Sequence, residues 1–370
     1  MILKKIWLSP PLITGKETAY VEDAIQSGWV APAGTYLTRF AEKIKENTKS
    51  NHVALVNTGT AAIHLALKVL GIPSGAKVAC SNFTFIASAN PIKYIDAVPV
   101  FIGSEENTWN MDPDFLEEAI IEGKKKDKPI EAIIWVHAFG TIGEAEKIKH
   151  ISVQYNIPLI EDAAEALGSY YSGVPAGSLG KVGILSFNGN KIVTTSGGGA
   201  LISNDEKLVE DANYLSAQAK DENETYLHQH IGYNYQMSNI SAALGYGQII
   251  DLEMRVKKKR QLFEVYRDNL QSRFIFQPES ENGFSNRWLT CAYLEGMKSE
   301  HLIQALENEG IEARHLYRPM TMQPLFKDCD YFGSGYEQIL FKYGIALPSG
   351  VGLNSNEQER IIATIKKQMR

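Results

Sequence analysis

From His52 to Glu161 the chain alternates short apolar runs with helix-periodic stretches, and this alternation narrows the fold more than any other feature. The runs His52–Val56, Lys77–Cys80, Val98–Ile102, Ile130–His137 and Pro158–Glu161 read as buried strands. Between them, Thr60–Leu70, Ile86–Tyr94, Asp114–Glu122 and Glu144–Tyr155 read as helices. Strands and helices alternating at this spacing predict an α/β fold with a mainly parallel sheet covered on both faces. Ligands of such sheets sit outside the carboxyl ends of the strands. Asn57–Thr60, Ser81–Phe85, His137, Asp162 and Glu165 fall at those ends and would converge in one crevice.

The flanks are less regular. Thr14 with Glu17 three residues on is a helix N-cap pattern, and a second helix is expected over Tyr36–Lys45 beyond the Trp29–Thr35 loop. After the strand Ala200–Ile202 come a helix over Lys207–Lys220, a polar loop through His230, and a helix from Ser238. A long charged helix, Asp251–Leu270, precedes strand Trp288–Leu294, helix Ser299–Glu309 and a terminal helix from Ser355. At 370 residues the chain outgrows one core, so two lobes are expected: 1–250 as the large domain and 251–370 as a smaller C-terminal α+β domain.

Charge and cysteine usage remove several function classes. A net charge of −6 gives no footing for nucleic acid, and the basic cluster Lys257–Arg260 reads as a solvated helix face. Cys80, Cys291 and Cys329 are odd in number and far apart, which suits reduced thiols rather than a disulfide framework or metal cluster. No apolar run is long enough to span a membrane, and a cytoplasmic protein is expected.

The stretch Gly183–Ser203 carries the most chemistry. Lys191 stands between an apolar strand end and the Gly197–Gly199 run, where backbone can approach a ligand closely. A desolvated lysine there is a candidate Schiff-base nucleophile; the plainer reading is a hairpin with an incidental lysine. The Asn57-Thr58-Gly59 turn before a helix would bind a phosphate through its amides and the Thr58 and Thr60 hydroxyls, or would simply cap the helix. Asp162 ends an apolar strand, so its carboxylate would either face a protonated pyridine nitrogen or cap the next helix. Phe83 and Phe85 offer ring faces for stacking, or core packing, and Ser186 could bond a phosphate oxygen. Taken together these residues supply a phosphate cradle, a ring stacker, a pyridinium carboxylate and a nucleophilic lysine, which implies transamination on pyridoxal 5'-phosphate (PLP), with Lys191 also moving the proton.

The motifs NTGTAAIHLAL, SNFTFIASANPI, IEDAAEALGS, SFNGNK with TSGGGALIS, and GYNYQMSNISAALG resemble those of the DegT/DnrJ/EryC1/StrS sugar aminotransferases. KIWLSPP, SNRWLT and PMTMQPLF resemble the branch that aminates UDP-4-keto-6-deoxy-N-acetylglucosamine. The resemblance implies a fold-type I PLP enzyme, a homodimer whose neighbours complete each other's sites, with L-glutamate and a nucleotide-linked ketosugar as substrates. It implies that Lys191 carries the cofactor, Asp162 meets the pyridinium, Phe85 rather than Phe83 stacks, and Gly59, Thr60 and Ser186 hold phosphate. Asn234 would reach the partner's phosphate. Glu165 falls near the phenolic oxygen, where a carboxylate would repel a phenolate, so it is expected to be protonated or turned toward the lysine.

The sequence departs from that branch at Arg314-His315, Thr321 and Phe139-Gly140, all expected where the nucleotide sugar lies. The leading expectation is amination at C4 of a UDP-linked 4-keto-6-deoxy-N-acetylhexosamine for surface glycans. A 3-keto or GDP-linked substrate is the alternative inside the family. A catalytically silent PLP-fold regulator is the alternative outside it, but that reading predicts a lost lysine or an added DNA-binding segment.

Overall fold

The computed structural model describes residues 4–221, 226–294 and 296–369; part of the expected polar loop before His230, residues 222–225, lies outside them. Helices α1 (Lys16–Gln26) and α2 (Thr35–Thr48) precede β1 (His52–Val56). The chain then runs through α3 (Gly59–Val69), β2 (Lys77–Ser81), α4 (Asn90–Tyr94), β3 (Val98–Ile102), α5 (Pro113–Lys125), β4 (Ile130–Val136), α6 (Ala145–Tyr155) and β5 (Leu159–Asp162). A ribbon of β6 (Tyr170–Tyr171) and β7 (Val174–Pro175) leads to β8 (Val182–Ser186) and β9 (Gly199–Ser203). Three helices follow: α7 (Glu206–Ser216), α8 (Asn239–Ile249) and α9 (Leu252–Leu270). The remainder comprises β10 (Ile275–Phe276), β11 (Gly283–Phe284), β12 (Thr290–Tyr293), α10 (Ser299–Asn308), β13 (Arg314–His315), β14 (Tyr331–Phe332), α11 (Tyr336–Tyr343), β15 (Gly344–Leu347) and α12 (Ser355–Gln368).

The large sheet has the order β1-β9-β8-β5-β4-β2-β3-β14, and every pairing from β8 to β14 is parallel. Its strands are apolar on both faces because helices cover both, as a parallel sheet requires. Only β9 runs against its neighbours, since residues 187–198 return the chain directly from β8 to pair beside it. The strand-turn-strand hairpin expected for this stretch is therefore present. β1, β2, β4, β5 and β8 all end at one edge, which gathers the residues that follow each strand.

Side chains alternate across β5, so Glu161 and Asp162 face opposite sides of the sheet. Glu161 is fully buried and accepts from the Gly177, Leu179 and Gly180 amides at 2.6, 2.6 and 3.0 Å, with His137 Nε2 at 2.7 Å. These bonds pin the turn leading into β8 and so fix where that strand enters the sheet.

A four-stranded sheet, β10-β12-β15-β13, packs with α10, α12 and the second half of α9 around Leu262, Phe263, Tyr266 and Leu270. The first half of α9 places Leu252 and Val256 in the core beneath the large sheet instead. Lys259, between these halves, is buried and donates to the carbonyls of Trp288 and Ser349 at 2.9 Å each. Burial, with the nearby Arg255 charge, pushes its ammonium down to about 7. No helix among the described residues is long and apolar enough to cross a membrane.

Four expectations need correction. The stretch 86–94 is not one helix but a 3-10 turn, Ile86–Ser88, followed by α4, because Pro91 lies in the first turn of α4 and cannot extend a helix begun earlier. The helix expected to Lys220 stops at Ser216, where Gln218 and Ala219 take positive φ and residues 216–218 bond to 233–235. Thr14 does not cap α1; Gly15 holds that position, while the Thr14 amide and hydroxyl donate to Glu17. The Lys257–Arg260 cluster is not a solvated face, since Lys259 is buried and Arg260 pairs with Glu279 at 2.5 Å.

Candidate active site

The residues gathered at the strand ends line a cavity of about 640 Å³ that holds Gly59, Thr60, Phe85, Asp162, Glu165, Ser186 and Lys191. Thr58 caps α3, its hydroxyl accepting from the Ala61 amide at 3.0 Å while its carbonyl takes that of Ala62. The amides of Gly59 and Thr60 are thereby left at the positive end of α3, and Ser186 lines the same cavity. A Cβ on Gly59 would lie 3.0 Å from that of Ser186, so glycine is what lets this backbone close on the end of β8.

Asp162 is 3% exposed and accepts from the Ser88 hydroxyl at 2.6 Å and the Ala164 amide at 3.2 Å. Burial raises its carboxyl above the ordinary range, against the pull of those two donors. Ser88 is held in turn by Thr84 at 2.8 Å. Of the two candidate rings, Phe83 is buried against Phe139 and Tyr317, whereas Phe85 is 58% exposed on the cavity wall.

Lys191 closes a turn begun at Asn188, its backbone N–H donating to the Asn188 carbonyl at 2.9 Å, and its side chain is only 12% exposed. Its Nζ donates to Glu165 Oε1 at 3.0 Å and stands 4.0 Å above the centre of the Trp288 ring. The Trp288 indole N–H donates to the Asn190 carbonyl at 2.8 Å, so that ring is tied to the lysine's own turn. Glu165 also accepts from the Phe139 amide at 2.8 Å and from the Tyr317 hydroxyl. It is turned toward the lysine, one of the two arrangements expected for it.

Asn234 is not on this cavity. It is exposed, and its carbonyl accepts from Asn57 Nδ2 at 3.3 Å. Among the departures, Arg314, His315 and Phe139 do line the cavity. Thr321 does not: its amide and hydroxyl are both taken by Asn82, at 2.9 and 3.1 Å. Gly140 does not either; its positive φ and close approach to Asn286 serve the loop.

Sequence reasoning missed Ser88, Trp288 and Tyr317 as site residues. Trp288 lies within SNRWLT and Tyr317 just before PMTMQPLF, yet no spacing there signals a neighbour on Lys191 or Glu165. Ser88 read as part of a helix rather than as the donor to Asp162.

The donor set suits pyridoxal phosphate. A buried carboxylate bonded only to neutral donors can take a protonated ring nitrogen, the helix terminus and two hydroxyls can take a phosphate, and an enclosed amine can take an aldehyde.

Residues 11–366 match the DegT/DnrJ/EryC1/StrS aminotransferase family. EpsN of Bacillus subtilis (strain 168), assigned as a pyridoxal phosphate-dependent aminotransferase, is 45% identical over 98% of this chain and 95% of its own length. GDP-perosamine synthase of Escherichia coli O157:H7 is 34% identical over 96% of both chains. The PLP-form structure of Spr1654 from Streptococcus pneumoniae, assigned as a sugar aminotransferase, superimposes with a TM-score of 0.90 at 26% identity, covering 98% of both chains. By that match the chain belongs to the DegT/DnrJ/EryC1/StrS aminotransferase family and is a pyridoxal phosphate-dependent sugar aminotransferase.

Proposed function

We propose that this enzyme moves an amino group from L-glutamate to C4 of a UDP-linked 4-keto-6-deoxy-N-acetylhexosamine for surface glycan synthesis. The observation that carries the amine-transfer chemistry is Lys191 held between Glu165 and Trp288 in the cavity that also contains Asp162. Pyridoxal phosphate, when bound, supplies the electron sink that lets a proton leave the carbon bearing the amine. The Gly59 and Thr60 amides and the Thr60 and Ser186 hydroxyls bind the phosphate. Asp162 holds positive charge at the ring nitrogen, and Phe85 presents a face to the ring. Lys191 Nζ takes the proton from the substrate carbon and returns it, its place fixed by Glu165. Arg314 and His315, on the cavity wall, offer charge and a donor to the diphosphate of the sugar nucleotide.

The UDP and N-acetyl assignments rest on KIWLSPP, SNRWLT and PMTMQPLF; similarity to GDP-perosamine synthase favours a GDP-linked sugar as the second reading. Purified enzyme with glutamate and a panel of UDP- and GDP-linked 3-keto and 4-keto sugars should aminate the UDP-linked 4-keto-6-deoxy-N-acetylhexosamine best, read by mass spectrometry. Turnover confined to GDP-linked or 3-keto compounds would replace that choice.

We also propose a homodimer in which Asn234 reaches the phosphate of the neighbouring site. Asn234 is exposed, and Trp29 and Ile231, at 60% and 85% exposure, are apolar side chains that a second copy would cover. Sedimentation should give a dimer, and Asn234→Ala should weaken cofactor retention without disturbing the monomer fold. A fully active monomer in solution would remove this proposal.

A further inference from the structure

The contacts of Glu165 go beyond what a lysine partner requires. Its carboxylate collects three donors from three parts of the chain: Lys191 Nζ from the β8–β9 turn, the Phe139 amide from the loop after β4, and the Tyr317 hydroxyl from the segment after β13. Lys191 and Tyr317 meet the same oxygen, Oε1. The Tyr317 ring is stacked on Phe139 at 4.7 Å and 12°, which aims its hydroxyl into the site. Burial and the Glu165 charge hold the Tyr317 proton well above its ordinary range, so the phenol stays a donor.

We propose that Tyr317 is a positioning residue that, through Glu165, sets how firmly Lys191 holds its proton. The role rests on the reading of Lys191 as the lysine that reacts with pyridoxal phosphate. A carboxylate that accepts a strong neutral hydrogen bond has less charge to offer a cation at the same oxygen. With the Tyr317 hydroxyl present, Lys191 is released from its proton at lower pH and becomes a nucleophile sooner. Without it, the full pull of Glu165 falls on the ammonium. The remaining ionisable groups facing this pair are Asp162 at the end of β5, Arg314 and His315 on the cavity wall, and Cys291 near Tyr317, with Arg287 acting on that thiol. Cys291 stays a neutral thiol through burial, and none of these groups is altered in the variants below.

The test is the rate at which apoenzyme combines with pyridoxal phosphate, followed by absorbance across pH, because only the neutral amine attacks the aldehyde carbon. Tyr317→Phe keeps the ring and its stacking, and should move the midpoint of that profile up by about one pH unit, the size expected when part of a charge-assisted bond is redirected to the lysine. Glu165→Gln should move it down. In the Glu165→Gln background, adding Tyr317→Phe should have no further effect. An unchanged or lowered midpoint in Tyr317→Phe overturns the proposal, as does a Tyr317→Phe shift that survives without the carboxylate. An unmoved midpoint in Glu165→Gln overturns it too, because it removes the link through which Tyr317 acts. Lys191→Ala apoenzyme that combines with the cofactor like wild type would instead sink the underlying lysine assignment.

Discussion

Lys191→Ala should bind pyridoxal phosphate only non-covalently and should lose turnover, by roughly 10²–10⁴-fold from the missing proton transfer alone. The fold should tolerate the change. Glu165 keeps the Phe139 and Tyr317 donors, and the Trp288 indole stays bonded to the Asn190 carbonyl. What disappears is the one amine that stands 3.0 Å from Glu165 and over the Trp288 ring. Borohydride reduction followed by peptide mass spectrometry separates the two proteins, with a cofactor adduct at position 191 in wild type and none in the variant. Retained turnover, or an adduct at another lysine in wild type, would refute the assignment.

The reach of sequence reasoning tracks how local each feature is. Strands β1 to β5 were legible because a strand buried on both faces writes itself as an apolar run, and the helices between them carry their own periodicity. Asp162 and Lys191 were legible as strand-end residues, since the end of an apolar run marks where the chain leaves the sheet. Contacts that join distant segments were not. Nothing in KKKR distinguishes Lys259 from its exposed neighbour Lys257; its burial depends on the carbonyls of Trp288 and Ser349, which the fold brings to it. Strand β14 is two residues long and borrows its identity from β3 at the sheet edge. Tyr317 reaches Glu165 only because β13 joins β15, a pairing with no local signature.

Substituting Asp162 tests the other end of the cavity, and it should separate catalysis from folding. Asp162→Asn keeps the shape, its Oδ1 able to accept from the Ala164 amide while its Nδ2 donates to the Ser88 hydroxyl instead of accepting from it, but it removes the charge that would hold a proton on the ring nitrogen. The rate of amine transfer should fall by about 10²–10³-fold, the scale of losing one preorganised electrostatic partner. Stability of the apoenzyme should move the other way. Burial raises the Asp162 carboxyl, so in its protonated form it favours the folded state, and that contribution is lost as pH rises through the raised value. Near neutral pH the buried carboxylate is therefore a cost that asparagine relieves, whereas in acid, with the carboxyl protonated, the two proteins should unfold alike. Urea unfolding of both apoenzymes at neutral and acid pH, set beside their turnover, measures both effects. An unchanged rate would remove Asp162 from the chemistry, and a large loss of stability at neutral pH would make it a structural carboxylate instead.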